Sequence, residues 1–382
     1  MGVVWFSEIK WDYLRTRKQQ IIRRRPEDVS LLYLEPWVRG RENRFDLREV
    51  DGIRVATVPF VKAVPGGLAR TAINIPVVRA LVDRYAVRRA AAVLKQAGLL
   101  VRRPALVISN IYAAACALSF QRSTLAYDCN DAHTAFPGMP GWTRSYYERT
   151  CRGADAVFTT SEALRNDVAL VRGGEAGVEL IGNGVEFGHF DRVRRELGPR
   201  VGGGVHVGYV GAIAPWFDFD SVAELARRHS DWKITLVGPV ILGAQTNVTE
   251  LDALDNVSLR PPVSYDDVPR VLHEFTIGII PFRLDELTRG VNPNKMYEYL
   301  AMGLPVAATK FSTEVGRFPE TVKTGRGGDE FVRACEEAVQ LAEGDPAHRE
   351  RAVREASRFD WDQIAGRFWS RLRQLDSGEV SP

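Results

Sequence analysis

A lysine and a glutamate stand three residues apart in the stretch GVNPNKMYEYLAMGLPVAATK, residues 290–310. This stretch predicts a loop, a short helix that begins near Asn294, and a buried strand. Lys295 falls in the first helical turn, where unpaired backbone N–H groups and the helix dipole attract anions such as phosphate. Glu298, one turn later on the same face, could bind sugar hydroxyl groups. The alternative is an ordinary i,i+3 ion pair on a surface helix.

Length and composition limit the class of protein. The chain has 382 residues, of which 45% are hydrophobic and 26% are charged, as expected for a globular protein of two or three domains. No apolar run reaches the roughly 18 residues that span a bilayer, and the first residues lack the order of a signal peptide. The cysteines and histidines do not cluster, so neither a disulfide framework nor a His-based metal site is predicted. We expect a cytoplasmic protein.

The positive charge is concentrated in the first half of the chain. Residues 1–195 carry a net charge of +10 and residues 196–382 a net charge of −7. The densest block, residues 15–25, has six lysine or arginine side chains. Such a block could contact phosphates or an anionic membrane surface, or it could simply be a solvated helix face. Nucleic acid is not predicted as a partner, because no binding motif and no interleaved aromatic residues accompany the block.

Apolar runs alternate with amphipathic stretches, which predicts an α/β fold with mostly parallel sheets. The strands predicted in the first half are residues 3–6, 30–36, 45–50, 53–60, 105–110, 124–129, 156–161 and 178–184. Residues 12–25 and 74–97 are predicted as helices, and Asp51-Gly52 as a hairpin turn. Residues 194–206 have the composition of a linker. The sequence therefore predicts two doubly wound domains joined near residue 200, with ligands bound in the cleft between them.

The segment NPNKMYEYLAMGLPVAAT resembles the donor-binding segment of bacterial GT-B fold glycosyltransferases, group 1 or family 4, including those of surface polysaccharides. The positions that match the family pattern are Pro293, Lys295, Glu298, Tyr299, Ala301, Gly303, Pro305 and Val306. The resemblance implies that Glu298 contacts the ribose of a nucleotide sugar and that Lys295 lies near its diphosphate. Asn292, Pro293 and Asn294 would complete this part of the donor site. Gly290 stands where many of these transferases have a second glutamate.

A second stretch, GYVGAIAPWFDFD, resembles the first strand and turn of the donor domain in the same enzymes. Gly211 would let the backbone approach the donor phosphates, and Ala212 lies in the same turn. Pro215, Trp216 and Phe217 stand where a lysine or arginine is often found. Lys295 and backbone dipoles would then have to meet most of the phosphate charge.

The triplet Asp-Phe-Asp at residues 218–220 resembles the metal-binding mark of another glycosyltransferase fold. It precedes a predicted helix, where acids serve as the N-cap and in the first turn. We therefore predict metal-independent chemistry without a cofactor, and the nucleotide-diphosphate sugar is a co-substrate.

The resemblance covers most of the chain and implies its domain boundaries. Residues 1–198 would form the N-terminal, acceptor-binding Rossmann-like domain. Residues 199–358 would form the C-terminal domain, which binds the nucleotide sugar. Residues 359–382 would form a helix that packs back on the N-terminal domain.

The catalytic candidates follow the predicted strand TLAYDC. An inverting transferase needs a base near the acceptor hydroxyl, and a retaining one must stabilise oxocarbenium charge and the leaving diphosphate. We predict Asp131 as the residue with this role and His133 as the second candidate, while Asp128 orders the loop. The alternative is that Asp131 and His133 only bind loop amides as turn residues.

The stretch SEIKWDYLRTRKQQ, residues 7–20, resembles the acceptor-side opening of some bacterial polysaccharide glycosyltransferases. Trp11 and Arg15 or Arg17 would contact a sugar and a lipid diphosphate. The basic block of residues 15–25 would lie at the inner face of the plasma membrane. The alternative is a strand followed by an ordinary surface helix.

The predicted function is transfer of a sugar from a nucleotide-sugar donor to a hydroxyl of a saccharide or lipid-linked acceptor, in the synthesis of a cell-surface polysaccharide or glycoconjugate. A sugar-nucleotide epimerase and a non-catalytic sugar-binding relative stay open as alternatives. An NAD-dependent oxidoreductase is a further alternative, although GYVGAI lacks the third glycine of the dinucleotide motif.

Overall fold

The computed structural model describes residues 1–13, 15–61, 71–100, 103–136, 138–200 and 202–378. The chain divides into two compact units. Unit 1 comprises Met1–Ile181 together with the residues from Ala365 onward, and unit 2 comprises Gly182–Ile364. Both units are α/β, as the alternation of apolar runs and amphipathic stretches predicts.

Unit 1 contains a mostly parallel sheet built on short, fully buried apolar runs. Its described strands are β1 (Gly2–Phe6), β2 (Ser30–Pro36), β3 (Arg48–Val50), β4 (Ile53–Val58), β5 (Ala105–Ile108), β6 (Leu125–Cys129), β7 (Ala156–Thr159) and β8 (Val178–Leu180). The strand order is β3-β4-β2-β1-β5-β6-β7-β8. Continuous apolar strands such as β1 and β5 suit a sheet covered on both faces.

The antiparallel exception is the hairpin of β3 and β4. Its two turn residues, Asp51 and Gly52, have φ of 51° and 70°. Positive φ at both central positions matches the twist of the flanking strands, which is why Asp-Gly favours this turn. The predicted hairpin is confirmed.

The helices of unit 1 cover this sheet and hold its core. Those described are α1 (Arg17–Arg23), α2 (Pro76–Gln96), α3 (Ala114–Ser119), α4 (Thr143–Gly153) and α5 (Glu162–Arg172), with a 3-10 turn at Ile111–Ala113. Helix α1 is shorter than the predicted helix at residues 12–25. The residues before it are held in a loop, because Trp11 N–H donates to the buried carboxylate of Glu35 (3.1 Å).

Unit 2 contains a second parallel sheet, in the order β11-β10-β9-β12-β13-β14. Its described strands are β9 (His206–Val210), β10 (Lys233–Val237), β11 (Val257–Arg260), β12 (Ile277–Ile280), β13 (Val306–Thr309) and β14 (Val322–Gly325). Its described helices are α6 (Phe187–Leu197), α7 (Phe219–Arg228), α8 (Gln245–Asp252), α9 (Val268–His273), α10 (Glu286–Arg289), α11 (Asn294–Ala301), α12 (Asp329–Gly344) and α13 (His348–Ser357), with 3-10 turns at Tyr265–Asp267 and Thr313–Arg317. Because β9 lies between β10 and β12, the chain reverses direction across the sheet there, the position where ligands of such sheets bind.

The division between the units falls before α6, not after residue 198 as the sequence suggested. Val185 and Phe190 are fully buried in the hydrophobic core of unit 2, so α6 belongs to that unit and the glycine-rich segment follows it. The last helix, α14 (Trp361–Ser377), joins unit 1 from Ala365 onward. There Trp369 Nε1 donates to the Ile21 carbonyl (2.9 Å), and Phe368 stacks on Trp5 with ring centroids 5.5 Å apart.

Candidate functional site

The turn after β9 is the first part of the predicted donor site in unit 2. Gly211 has φ of +147°, a conformation that favours glycine. A Cβ at this position would lie 3.0 Å from Lys295 Cε, so the glycine also lets the lysine approach the turn. Ala212 follows, and its carbonyl accepts a hydrogen bond from Tyr209 Oη (2.7 Å). Gly211, Ala212 and Lys295 are thus brought together.

Helix α11 begins where the sequence predicted. Pro293 is its N-cap, in an extended conformation, and the first turn has neither a side-chain cap nor an acid. Asn292 is buried, and its carbonyl accepts from Asn183 Nδ2 (2.8 Å), which indicates a role in fixing the loop. Asn294 Oδ1 is buried without a hydrogen-bond partner among the described residues. The N-terminus of α11 therefore offers polar groups that the described chain does not satisfy.

Two tyrosine hydroxyl groups hold α11 and the turn after β9 in place. Tyr299 is fully buried, and its hydroxyl accepts a hydrogen bond from Val210 N–H (2.9 Å). Tyr209, in the strand itself, holds the turn through Ala212. The Tyr299 hydrogen bond therefore ties α11 to the carboxyl end of β9, and breaking it would cost free energy.

Lys295 lies in an aromatic setting. Its Nζ is 4.9 Å from the ring centroid of Phe282 and 5.3 Å from that of Tyr209. In the part of the chain that the structure describes, Lys295 makes no hydrogen bond and no ion pair, so the predicted alternative of a Lys295–Glu298 pair is not formed. Burial lowers the pKa of Lys295, while the charge of Glu298 raises it. The charged form of such a partly desolvated ammonium group is stabilised when an anion binds beside it.

Glu298 is partly exposed on the same helix. No described residue donates a hydrogen bond to its carboxylate. Burial raises the pKa of Glu298, and Lys295 acts in the opposite direction. Its two oxygens are open acceptors of the kind that can bind a pair of hydroxyl groups.

The predicted metal-type triplet caps a helix. Asp218 is the N-cap of α7, where its carboxylate accepts from Ser221 N–H (3.2 Å) and from Ser221 Oγ (2.5 Å). Asp220 lies in the first turn. The arrangement is the one that the helix-start interpretation predicted.

In unit 1, the predicted catalytic loop follows β6, and Asp128 of this strand forms a buried ion pair. Arg17 Nε donates to both carboxylate oxygens of Asp128, at 2.9 and 3.2 Å, and both side chains are buried. This two-point contact joins the N-terminus of α1 to the end of β6. Asp128 thus holds α1 at the point where the loop begins, and Arg17, predicted to bind an acceptor, is instead buried in this ion pair.

Asp131 and His133 lie together at this loop, both partly exposed. Burial raises the pKa of Asp131 to about 7; Lys18 opposes the shift, and Glu8 and Asp128 add to it. Burial lowers the pKa of His133, an effect that Glu8 partly offsets, so the ring is neutral near pH 7. The His133 Nδ1 atom lies 3.1 Å from the hydroxyl of Tyr127. A carboxyl group with a pKa near neutrality can act as a general base or acid.

Sequence reasoning missed two charged residues of this cluster. Lys18 is buried and pairs with Glu8, and both act on the pKa values of Asp131 and His133. Both lie in the stretch SEIKWDYLRTRKQQ, but neither was singled out. Their spacing in the sequence does not predict a contact, because Glu8 follows β1 and Lys18 lies in α1. The two side chains meet only in the folded chain.

The predicted acceptor residue Trp11 is part of the core. It is 4% exposed and packs edge-on against Tyr33, with ring centroids 5.2 Å apart. Its backbone N–H donates to Glu35, which also pairs with Lys10 (2.9 Å). The indole is therefore not available as a platform for a sugar ring, which corrects the prediction; Arg15, the other candidate there, is partly exposed.

Tyr13, two residues after Trp11, is 49% exposed. It borders a cavity of about 570 Å³ in unit 1. The other lining residues are Glu8, Ile9, Lys10, Asp12, Val38, Arg41 and Glu42. This cavity thus shares Glu8 with the Asp131 cluster. It is bordered by an exposed aromatic ring, that of Tyr13, whereas the ring of Trp11 is buried.

Most of the basic block at residues 15–25 is used inside unit 1. Arg17 and Lys18 are buried in ion pairs, and Arg23 pairs with Asp51 (2.8 Å). Arg24 donates to Gln20 Oε1 (2.6 Å), and Arg25 donates to the Gly52 carbonyl (2.9 Å). Arg17 and Lys18 are therefore not available to a membrane, whereas Arg23 is exposed and Arg24 and Arg25 donate to neutral oxygens. Contact of this block with an anionic surface stays a prediction, because charge density along a sequence does not show which cations meet internal acceptors.

No helix within the described ranges is both long enough and apolar enough to cross a bilayer.

Residues 204–344, which lie in unit 2, match the family model described as glycosyl transferases group 1. A Bacillus subtilis protein named as a teichuronic acid biosynthesis glycosyltransferase, TuaH, is 27% identical over 252 residues. That alignment covers 62% of this chain and 63% of the relative, so the chain spans less than two thirds of the relative's length.

Solved structures match over nearly the whole chain. Sucrose-phosphate synthase from Thermosynechococcus elongatus has a TM-score of 0.71 at 15% identity, covering 99% of this chain and 100% of its own. Anabaena HepE, solved in complex with UDP and glucose, has a TM-score of 0.67 at 16% identity, covering 98% and 99%. The protein has the GT-B fold, and the predicted resemblance to group 1 glycosyltransferases is confirmed.

Proposed function

We propose that the protein is a glycosyltransferase that moves a sugar from a nucleotide-sugar donor to a hydroxyl of a saccharide or lipid-linked acceptor. The observation that carries the proposal is Lys295, which lies at an uncapped helix N-terminus beside Gly211 with no described anionic partner. A diphosphate would supply the missing anion. The group 1 match of unit 2 and the UDP-bound structure of HepE support a nucleotide-sugar donor.

The residues would divide the work between donor and acceptor. Lys295 and the first turn of α11 would hold the diphosphate and stabilise its charge as it leaves. Glu298 would bind the ribose hydroxyls. Asp131 would take the proton of the acceptor hydroxyl or stabilise positive charge on the sugar ring, with neutral His133 as the second candidate. No step in this scheme needs a metal ion, and we propose metal-independent transfer in the synthesis of a cell-surface polysaccharide or glycoconjugate.

The acceptor would bind in unit 1, with the exposed ring of Tyr13 replacing Trp11 as the surface on which a sugar stacks. Arg15 stays a candidate for its phosphate groups. The name of the Bacillus subtilis relative supports a polysaccharide acceptor.

Turnover of nucleotide sugars tests the proposal. The protein is incubated with UDP-, GDP-, dTDP- and ADP-sugars, and the nucleotide and sugar products are separated by chromatography. Release of a nucleoside diphosphate with a glycosylated or hydrolysed sugar is expected for a transferase. An epimerised sugar without glycosyl transfer to an acceptor would instead indicate the epimerase, and no turnover of any donor would indicate the non-catalytic relative.

Glu298→Gln is expected to weaken binding of the nucleoside and of the nucleoside diphosphate by the same factor, about 10-fold. The factor follows from the loss of hydrogen bonds to a charged acceptor, worth about 1.5 kcal/mol or more. Calorimetric titration with uridine and UDP, or with the nucleotide pair that the turnover screen selects, measures both affinities. Glu286→Gln, an exposed glutamate on α10, is the matched control. Unchanged nucleoside affinity in Glu298→Gln would contradict the ribose assignment.

We also propose that the protein works at the cytoplasmic face of the membrane through α2, which has exposed apolar side chains that residues 15–25 lack. Val77, Leu81 and Tyr85 form a stripe on the outer face of α2 and are more than half exposed. Arg84 and Arg88 are exposed beside them. Asp83 is the acid of this helix, and it accepts from Tyr146 Oη (2.7 Å). Apolar side chains with cations and no open carboxylate suit an anionic lipid surface.

The double substitution Leu81→Glu and Tyr85→Glu is expected to lower binding to vesicles that contain phosphatidylglycerol by at least about 10-fold, because it removes apolar contact and adds charge of the repelled sign. Co-sedimentation with vesicles measures the effect. Leu170→Glu, on an exposed leucine of α5, is the matched control and should leave binding unchanged. Equal sedimentation of the double variant and the wild type would contradict a role of α2.

A further inference from the structure

Unit 2 has a second candidate site, at the end of its sheet where the strands begin. A cavity of about 310 Å³ lies at the amino ends of β12 and β13, whereas Gly211 and Lys295 follow the carboxyl ends of strands. Its lining includes Arg200, His273, His348 and Arg349, and we call it the Arg349 cavity. It also includes Met302–Leu304, directly after the end of α11. The helix that carries Lys295 at one end therefore borders this cavity at the other.

Arg349 has no acidic partner in this cavity. Its Nη2 donates to the Gly198 carbonyl (3.0 Å), and its Nε is buried without a hydrogen bond. Among the described residues no carboxylate pairs with it. Burial lowers the pKa of Arg349, and the charged neighbour that adds to this shift is another cation, Arg194. Arg349 is thus half-buried, with one buried N–H left unsatisfied and no carboxylate beside it, and an anion would supply the missing acceptor.

His348 adds unused polar atoms. Its side chain is 2% exposed, and neither ring nitrogen makes a hydrogen bond of good geometry within the described chain. Burial lowers the pKa of His348 to about 4, an effect that Asp345 and the Leu304 carbonyl only partly offset, so the neutral ring keeps one N–H to donate. Buried imidazole nitrogens are normally satisfied. The ring lines the cavity, so a ligand there can accept the hydrogen bond that the protein does not.

The other cationic residues around the cavity also have no unpaired carboxylate beside them. Burial lowers the pKa of His273, and the positive charges of Arg349 and Arg200 add to this shift. Arg200 donates to the carbonyls of Glu274 (3.1 Å) and Gly204 (2.9 Å), not to a described carboxylate. Asp345 is the acid in the lining, and it already pairs with Arg351 and accepts from Ala347 N–H (3.0 Å). The cavity is therefore positive overall.

Gly303 brings Arg349 to this place. It has φ of +75° after the end of α11, and a Cβ there would lie 2.4 Å from Arg349 Cγ. A cation beside a helix C-terminus is favourable in itself, which accounts for Arg349 alone. It does not account for the unsatisfied ring of His348 or for the collection of Arg200 and His273 around the same cavity.

We propose that the Arg349 cavity binds a small phosphate-type oxyanion, with Arg349 and His348 as hydrogen-bond donors and Arg200 at the rim. The guanidinium group presents several donors in one plane, which suits phosphate oxygens. The ligand is either inorganic phosphate or the phosphate group of a small metabolite. This site is separate from the donor site and does not depend on the transferase activity.

Calorimetric titration with inorganic phosphate tests the proposal, at ionic strength held constant with chloride. It uses the Lys295→Met variant, so that phosphate cannot be held by that lysine. Adding Arg349→Gln is expected to weaken phosphate binding by about 10- to 100-fold. Adding Arg354→Gln, an exposed arginine on the same helix, is the matched control and should change nothing. Arg200→Gln provides a second test at the rim if Arg349→Gln does not fold.

A parallel titration with glucose 6-phosphate distinguishes the two sources of the anion. Binding of either probe that is lost in the Arg349→Gln background supports the site, and the tighter probe identifies the source. Absence of binding at millimolar concentration of both probes, or binding that Arg349→Gln and Arg200→Gln leave unchanged, would overturn the proposal.

Discussion

Replacing Lys295 with methionine is expected to lower the affinity for nucleoside diphosphates by about 10- to 100-fold. A hydrogen bond to a charged group contributes about 1.5–3 kcal/mol, and each 1.4 kcal/mol changes a dissociation constant about tenfold. Lys295 Nζ lies over Phe282 and Tyr209 with no described anionic partner, so its charge is available to a diphosphate. Calorimetric titration of the two proteins measures the difference.

The same substitution should separate phosphate recognition from nucleoside recognition. Nucleoside affinity is expected to stay unchanged, because the base and ribose do not need the ammonium group. The melting temperature should not fall, since methionine removes a charge that burial disfavours. Lys310→Met, on an exposed lysine of the same unit, is the control. An equal loss of affinity for nucleoside and diphosphate would contradict the assignment of Lys295.

Asp131→Asn is expected to lower kcat by about 100- to 10,000-fold, the usual contribution of general acid–base catalysis. Burial raises the pKa of Asp131 to about 7, which gives a proton acceptor matched to neutral pH. The amide keeps the shape of the side chain but cannot take a proton. Initial rates of nucleotide release with the selected donor measure kcat, and donor affinity should be unchanged. Asp252→Asn, at an exposed aspartate at the end of α8, is the control.

The effect of pH on stability gives an independent check of this carboxyl group. Its pKa in the folded protein, about 7, lies above the ordinary value of 3.8. Between these values the folded state binds more protons than the unfolded state, so the group makes the protein less stable as the pH rises. The melting temperature of Asp131→Asn relative to wild type should therefore increase from pH 4 to pH 8. A constant difference across this range would contradict the raised pKa and with it the proposed role.

The elements that the sequence predicted well are those set by local patterns. Apolar runs such as residues 30–36 became strands with the expected bounds, and Asp51-Gly52 formed the hairpin turn because both positions adopt positive φ. The start of α11 at Asn294 followed from Pro293. Helix α1 was predicted too long, because the loop before it is held by Glu35, a distant residue that the local pattern does not include.

The candidate site divides in the same way. Lys295 and Glu298 lie on one helix, so their common face could be read from their spacing. The surroundings of Asp131 could not, because Glu8 and Lys18 come from other elements. Trp11 and Arg17 illustrate the opposite error: residue types that suit sugar and phosphate binding were taken up by Tyr33 and Asp128, far away in the sequence.

A thermal-shift panel tests the central claim most directly. Wild-type protein and Lys295→Met are melted with UDP, GDP, dTDP and ADP, with the corresponding nucleotide sugars, and with NAD as a control. A ligand that binds only the folded state raises the melting temperature, by an amount that grows with the logarithm of the ratio of its concentration to its Kd. We expect one nucleoside diphosphate family to stabilise the wild type and to have a much smaller effect on Lys295→Met. Stabilisation by NAD alone, or by no nucleotide, would contradict the proposal that unit 2 binds a nucleotide sugar.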